Sequence, residues 1–185
     1  MGLIIILMGP SGIGKGYIKQ AIKDRWPFFY EPVWYTTRGC RRNNADDRIC
    51  ISEKEFKTMQ NNNQFKIVDI YCEHKYGLSI NRLPSHPFMI TELRKCHFLN
   101  YFTGDNIFSI GLIPETLDFL RFRLTGRRTE VNQQVELRLE TAEKEIEELL
   151  SNQGLFSFFL RVNEQTQKNV VNEICKSISP LIEEQ

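Results

Sequence analysis

The amino-acid sequence predicts an α/β fold, a parallel sheet covered by helices on both faces. Two observations predict it. Short apolar runs alternate along the chain with stretches of amphipathic helical spacing, the order that produces parallel strands joined by helices. The first run, Leu3 to Met8, is rich in Ile and ends in a glycine-rich turn. From Tyr17 to Arg25 apolar residues then recur at helical spacing with Gln and Lys between them. Strand, loop and helix therefore follow one another directly.

The remaining elements follow in order. Thr36 to Arg48, with the sequence TTRGCRRNNADDR, is charged, rich in turn formers and poor in apolar residues, so an exposed loop is expected there. Its four arginines could meet an anion. Glu53 to Met59 reads as a short helix capped by Ser52. Phe88 to Thr91, Ile107 to Leu112 and Phe156 to Val162 read as core strands. Pro114 to Leu124 reads as a helix started by Pro114 and broken by Gly126, with Arg123, Arg127 and Arg128 clustered at its end. In Val131 to Leu150 the apolar positions Val135, Leu139, Ala142, Ile146 and Leu149 recur at steps of three and four, which predicts a long amphipathic helix. Asn169 to Ile178 is a final helix, and Pro180 to Gln185 a tail expected to fray.

The chain has 185 residues, enough for one well-cored domain over 1–185 with a small insert. A hydrophobic fraction of 41% beside 25% charge is that of a soluble globular protein, and a net charge of +1 gives no general pull toward nucleic acid or a membrane surface. The longest apolar runs are far shorter than a spanning helix requires. No nucleic-acid or membrane partner and a cytoplasmic location are expected. Five cysteines, Cys40, Cys50, Cys72, Cys96 and Cys175, are widely spaced without a CxxC pair and read as reduced thiols. His74, His86 and His97 lack metal-ligand spacing.

Gly9-Pro10-Ser11-Gly12-Ile13-Gly14-Lys15 has the spacing of a phosphate-binding P-loop. The glycines let the backbone curl until its N–H groups face phosphate oxygens. The following helix adds its positive N-terminal end, and the Lys15 ammonium reaches the outer phosphates. Such a loop ordinarily continues with Ser or Thr, whose hydroxyl ligates magnesium; here Gly16 and then Tyr17 follow. The phosphate cradle is kept and the metal ligand is not.

The segments MGPSGIGKG, YTTRGCR, ISEKEF, KYG, FRLTGRRTE and RLETAEKEIEELL, in that order, resemble the guanylate kinase family across nearly the whole chain. The resemblance implies a three-layer P-loop fold of the nucleoside monophosphate kinase type. In it a central parallel sheet carries a small acceptor-binding insert near residues 34–82 and an arginine-bearing lid near 123–140. It implies ATP as donor, with Mg²⁺, and GMP as nominal acceptor; a monomer or a homodimer is expected. Gly9, Pro10, Ser11, Gly12, Ile13, Gly14, Lys15 and Gly16 match the ATP-binding loop. Arg38, Arg41 and Tyr76 match the residues that hold the acceptor's phosphate. Arg127 and Arg138 match lid arginines that, with Lys15, act on the transferring phosphoryl group. Glu92 replaces the usual aspartate at the end of a strand and would orient magnesium indirectly.

The guanine-recognising positions differ. Trp34, Arg48, Ile67 and Leu78 stand where the family has a serine, a tyrosine, a glutamate and a small hydroxyl residue; Asp69 or Glu73 could supply the missing carboxylate. A site that loses its hydrogen-bonding partners for a base loses most of its discrimination. LMGPSGIGKG, the tyrosine before TTR, and DRICISEKEF also resemble the ribose bisphosphate phosphokinase of phosphonate metabolism, which implies a sugar-phosphate acceptor. A non-catalytic guanylate-kinase-like binding module is the third expectation, opposed by Lys15 and favoured by Gly16 and Trp34.

Overall fold

The computed structural model describes residues 2–39, 48–79, 88–102, 106–126 and 132–183. The chain divides into two units, Met1–Tyr30 with Pro87–Gln185, and Glu31–His86.

The first unit is built on a parallel sheet. Its strands are β1 (Leu3–Met8), β6 (Phe88–Leu93), β7 (Asn106–Pro114) and β8 (Phe158–Val162), in the order β6-β1-β7-β8. Every pairing is parallel, with Leu7 beside both Glu92 and Ile110. All six residues of β1 are buried, as an uninterrupted apolar run in a central parallel strand requires. The helices of this unit are α1 (Lys15–Arg25), α3 (Leu117–Thr125), α4 (Asn132–Ser151) and α5 (Gln167–Glu183). Ile18 and Ile22 of α1, Leu120 of α3, Leu139 of α4 and Ile174 of α5 meet Ile5 and Leu112 of the sheet in one core. Burying each such aliphatic side chain contributes about 1.5–3 kcal/mol. The fold is α/β with a central parallel sheet, as the alternation of strand and helix signals predicts. Among the described residues no helix is long and apolar enough to cross a membrane.

Three expectations are corrected. Pro114 does not start α3 but ends β7, opposite Val162. Pairing with β1 stops at Gly111, and the next amide, Glu115 N–H, donates to Val162 O at 3.1 Å. The nitrogen of residue 114 thus faces the side where β1 has ended, and the missing N–H breaks no ladder bond. The helix begins after Thr116, whose hydroxyl accepts from Phe119 N–H at 3.3 Å. The last helix starts earlier than expected and continues through Pro180. A turn precedes it in which Asn163 N–H donates to Thr166 Oγ1 and Thr166 N–H to Asn163 Oδ1, at 2.9 and 2.8 Å. Beyond Pro180, Leu181 and Ile182 pack on the core and hold the final turn against the lost helical hydrogen bond. Cys50 is disulfide-bonded, so the cysteines are not all reduced thiols; Cys72, Cys96 and Cys175 are free.

The second unit holds a mixed sheet of β2 (Trp34–Thr36), β3 (Arg48–Cys50), β4 (Phe65–Tyr71) and β5 (His74–Ser79), in the order β3-β2-β5-β4. β2 runs parallel to β3 and antiparallel to β5, which pairs antiparallel with β4. The helix α2 (Glu53–Asn61) opens with a capping box: Ser52 N–H donates to Glu55 Oε2 at 2.8 Å, and Glu55 N–H to Ser52 Oγ at 3.2 Å. The Ser52 hydroxyl also donates to Glu55 Oε2 at 2.7 Å, and this bond, followed by that from Ser52 N–H, holds the Glu55 carboxyl below its ordinary value. Phe56 of α2 is buried with its ring centroid 4.7 Å from that of Phe65, which also meets Tyr35 at 5.9 Å. A Cβ on Gly77 would lie 2.6 Å from the Phe65 ring, so this face closes only over glycine.

Candidate functional site

β1 delivers the chain to the glycine-rich loop at the C-terminal edge of the parallel sheet. The loop turns through Ile13 N–H donating to Pro10 O at 3.3 Å, with the Ile13 side chain wholly buried beneath it. Gly12 and Gly14 hold φ of +89° and +111°, a region that residues bearing a Cβ rarely adopt. Gly14 is the N-cap of α1 and supplies no capping side chain. The first intrahelical bond runs from Ile18 N–H to Gly14 O, at 3.1 Å. The amides of the first turn are thus directed out of the helix end, the arrangement that suits an anion. The Lys15 ammonium closes the loop, donating to Gly9 O at 2.7 Å and to Pro10 O at 3.1 Å.

One turn further along α1 stands a cation that the sequence reading did not single out. Lys19 is buried, and its Nζ lies 3.4 Å from Glu92 Oε1; the two side chains are 10% and 17% exposed. Glu92 sits near the end of β6, in register with Leu7. The signal was present in the sequence: Lys19 lies beside Ile18 and near Ile22, on the stripe that faces the core.

The loop fits the phosphates of a nucleotide. The protein side does not fit the magnesium ion that the resemblance adds. Gly16 has no hydroxyl, Glu92 is engaged by Lys19, and the described residues hold no group of three or more His, Cys, Asp or Glu able to bind a metal.

In the second unit, Thr36 and Thr37 pin the chain around Arg38. Arg38 N–H donates to Thr36 Oγ1 at 3.1 Å, Thr37 N–H to Lys75 O at 3.1 Å, and Lys75 N–H to Thr37 Oγ1 at 3.0 Å. The Lys75 ammonium reaches Glu53 Oε2 at 2.7 Å and, with the Thr37 hydroxyl, holds that carboxyl below its ordinary value. Tyr76 lies opposite both Thr36 and Asp69, so the three share a sheet face. Trp34, Leu78 and Ile67 form the next row on the same face, away from Phe65 and α2. Tyr76, Leu78, Ile67 and Asp69 are all buried. The Arg48 guanidinium stands 5.3 Å from the Tyr76 ring centroid, a cation stacked on an aromatic face. The structure separates the two candidate carboxylates: Asp69 is buried beside Tyr76, while Glu73 is exposed at the tip of the β4–β5 hairpin with φ of +65°.

Arg138 lies on α4 between the buried Val135 and Leu139 and is only 5% exposed, so it belongs to the inner stripe of that helix, which packs on α3 and β7. Arg121 of α3 forms an ion pair with Glu136 of α4. Arg41 and Arg127 lie outside the described residues.

No family model matches the chain. Among solved structures, it is similar to the crystal structure of guanylate kinase from Anaplasma phagocytophilum, with a TM-score of 0.63 and 16% sequence identity, over 98% of this chain and 85% of that one. The chain therefore has a guanylate-kinase-like α/β fold with a central parallel sheet.

Proposed function

We propose that the protein is a guanylate-kinase-like phosphotransferase that moves the γ-phosphoryl group of ATP to a small phosphorylated acceptor, nominally GMP + ATP to GDP + ADP. The observation that carries this reading is the loop 9–16, closed by Lys15 and opening onto the first-turn amides of α1. In this reading the loop backbone and Lys15 hold the β- and γ-phosphates. Arg38, Arg41 and Tyr76 hold the acceptor's phosphate, one oxygen of which attacks the γ-phosphorus as the bond to ADP breaks. Arg127 and Arg138 stabilise the charge on the group in flight. Phosphoryl transfer requires chiefly alignment and cations, and arginine's planar fork supplies both. No step is assigned to magnesium.

A second reading has a specific observation in its favour. The row Trp34, Leu78 and Ile67 offers a base no hydrogen-bonding side chain except through Trp34, while Arg48 adds a cation over Tyr76. An acceptor with a second anionic group, such as ribose bisphosphate, suits these residue types better than guanine does. The deciding experiment is ADP release from ATP across nucleoside monophosphates and ribose bisphosphate, with Lys15→Ala as control. Turnover of GMP supports the first reading and turnover of the bisphosphate the second. Silence across the panel supports a binding module.

A further inference from the structure

We propose that Lys19 takes the place of the divalent cation at the phosphate loop, so that this chain binds its nucleotide without a metal ion. The inference rests on the reading of the loop as a nucleotide site, and it starts from the mismatch between the residues present and the ion expected there.

The hydroxyl that would ligate the ion is missing at Gly16, and packing does not forbid it. Gly16 is exposed, and a Cβ built on it meets nothing within 4 Å. The acidic group that would orient the ion is present as Glu92, at the sheet edge where β1 runs into the loop. Its carboxylate already has a cation: Lys19 Nζ at 3.4 Å, with both side chains largely withdrawn from water.

Lys19 is well placed for this substitution. Side chains on a helix lean toward its N-terminus, so a lysine four residues after Lys15 projects its ammonium back toward the end that faces the phosphates. Burying a lysine and a glutamate costs desolvation energy that their mutual attraction only partly returns, and two apolar residues would pack the same volume more cheaply. With Glu92 as anchor, the ammonium presents a fixed, single positive charge beside the loop, the charge that a divalent cation would supply there. It also competes with such an ion for Glu92.

The test is the affinity for ATP, measured by calorimetry in EDTA and in excess magnesium chloride. Wild-type protein is expected to bind ATP in both buffers with dissociation constants within about threefold of each other. Lys19→Met should weaken binding in EDTA by about tenfold or more, the loss expected for one charge-assisted contact. The double variant Gly16→Ser with Lys19→Met should bind at least about tenfold more tightly when magnesium is added. Wild-type binding that requires magnesium overturns the proposal and leaves the nucleotide site standing; that comparison needs no variant to fold. Lys19→Met binding like wild type in EDTA overturns it equally. Absence of ATP binding in both buffers removes the nucleotide site and the proposal together.

Discussion

The Lys15 ammonium donates to the carbonyl oxygen of Gly9 at 2.7 Å, so the lysine at the start of α1 reaches back to the residue where the loop leaves β1. The loop is closed on itself by the same charge that would reach a phosphate. Lys15→Ala removes that charge, while Gly14 remains the N-cap of α1. Turnover, read as ADP release with the best acceptor, is expected to fall by about 10²–10³ or more, as when one preorganised donor to a transition state is lost. Because the hydrogen bonds to Gly9 O and Pro10 O go with it, the melting temperature is expected to fall by about 2–6 °C, far too little to account for such a loss of turnover. An active variant would remove the proposed mechanism.

Gly9, where the loop leaves β1, and Gly16, in the first turn of α1, predict opposite responses to alanine. A Cβ on Gly9 would stand 2.5 Å from the carbonyl oxygen of Leu112, a backbone atom of β7 that cannot swing aside. Gly9→Ala must therefore push the loop off the sheet, at a cost of about 1–3 kcal/mol, and should lower the melting temperature by about 2–10 °C. Gly16→Ala meets open space within a helix, where alanine is favoured over glycine. Its melting temperature should equal or slightly exceed that of wild type. Calorimetric melting of the two variants side by side checks the ranking; the reverse order would contradict the packing of the loop.

The part of the fold legible in the sequence is the part with local causes. Strand, glycine loop and helix at residues 3–25 follow from an apolar run, residues free to take positive φ, and helical spacing, none of which needs a distant partner. The cap at Ser52 is equally local, three residues from Glu55. Pro114 misled because its local preference for a helix start was overruled by register with Val162, a contact set by sheet order. Pro180 misled for the same kind of reason, since Leu181 and Ile182 find core beyond it. Lys19 was passed over because its meaning depends on Glu92, which reaches it only when β6 pairs with β1. In the second unit β2 and β3 are three residues each, too short for an alternating pattern to show.

Arg48 offers a test of the acceptor side that leaves the ATP loop alone. Its guanidinium stacks on Tyr76, and Tyr76 pairs across the sheet with Thr36, two residues before Arg38. If the cation contributes to holding an anionic acceptor, Arg48→Ala should raise the acceptor's KM by about tenfold, in line with a cation contact of about 1–2 kcal/mol. The KM for ATP should hold within about twofold. Steady-state kinetics with each substrate varied in turn separates the two. An equal rise in both constants would indicate damage to the fold rather than loss of an acceptor contact.

Cys96 is predicted to be the least reactive of the free cysteines at moderately alkaline pH. It lies at the start of the 3₁₀ turn Cys96–Phe102, 5% exposed, with its backbone N–H donating to Glu148 Oε1 at 2.7 Å. Burial, followed by the charge and hydrogen bond of Glu148, pushes its thiol up to about 11. Because the folded value lies above the unfolded one, the thiol's contribution to stability is complete below the unfolded value. It is lost as the pH rises through about 11. Near pH 8 the thiolate is therefore about one part in a thousand, and the thiolate is the nucleophile. Iodoacetamide labelling followed by peptide mass spectrometry should modify Cys72, half-buried in the β4–β5 turn, well before Cys96. Glu148→Gln removes the carboxylate's charge and should speed labelling of Cys96 several-fold without altering that of Cys72. Equal rates at the two cysteines in the wild-type protein would mean that the Cys96 thiol is neither buried nor held beside Glu148.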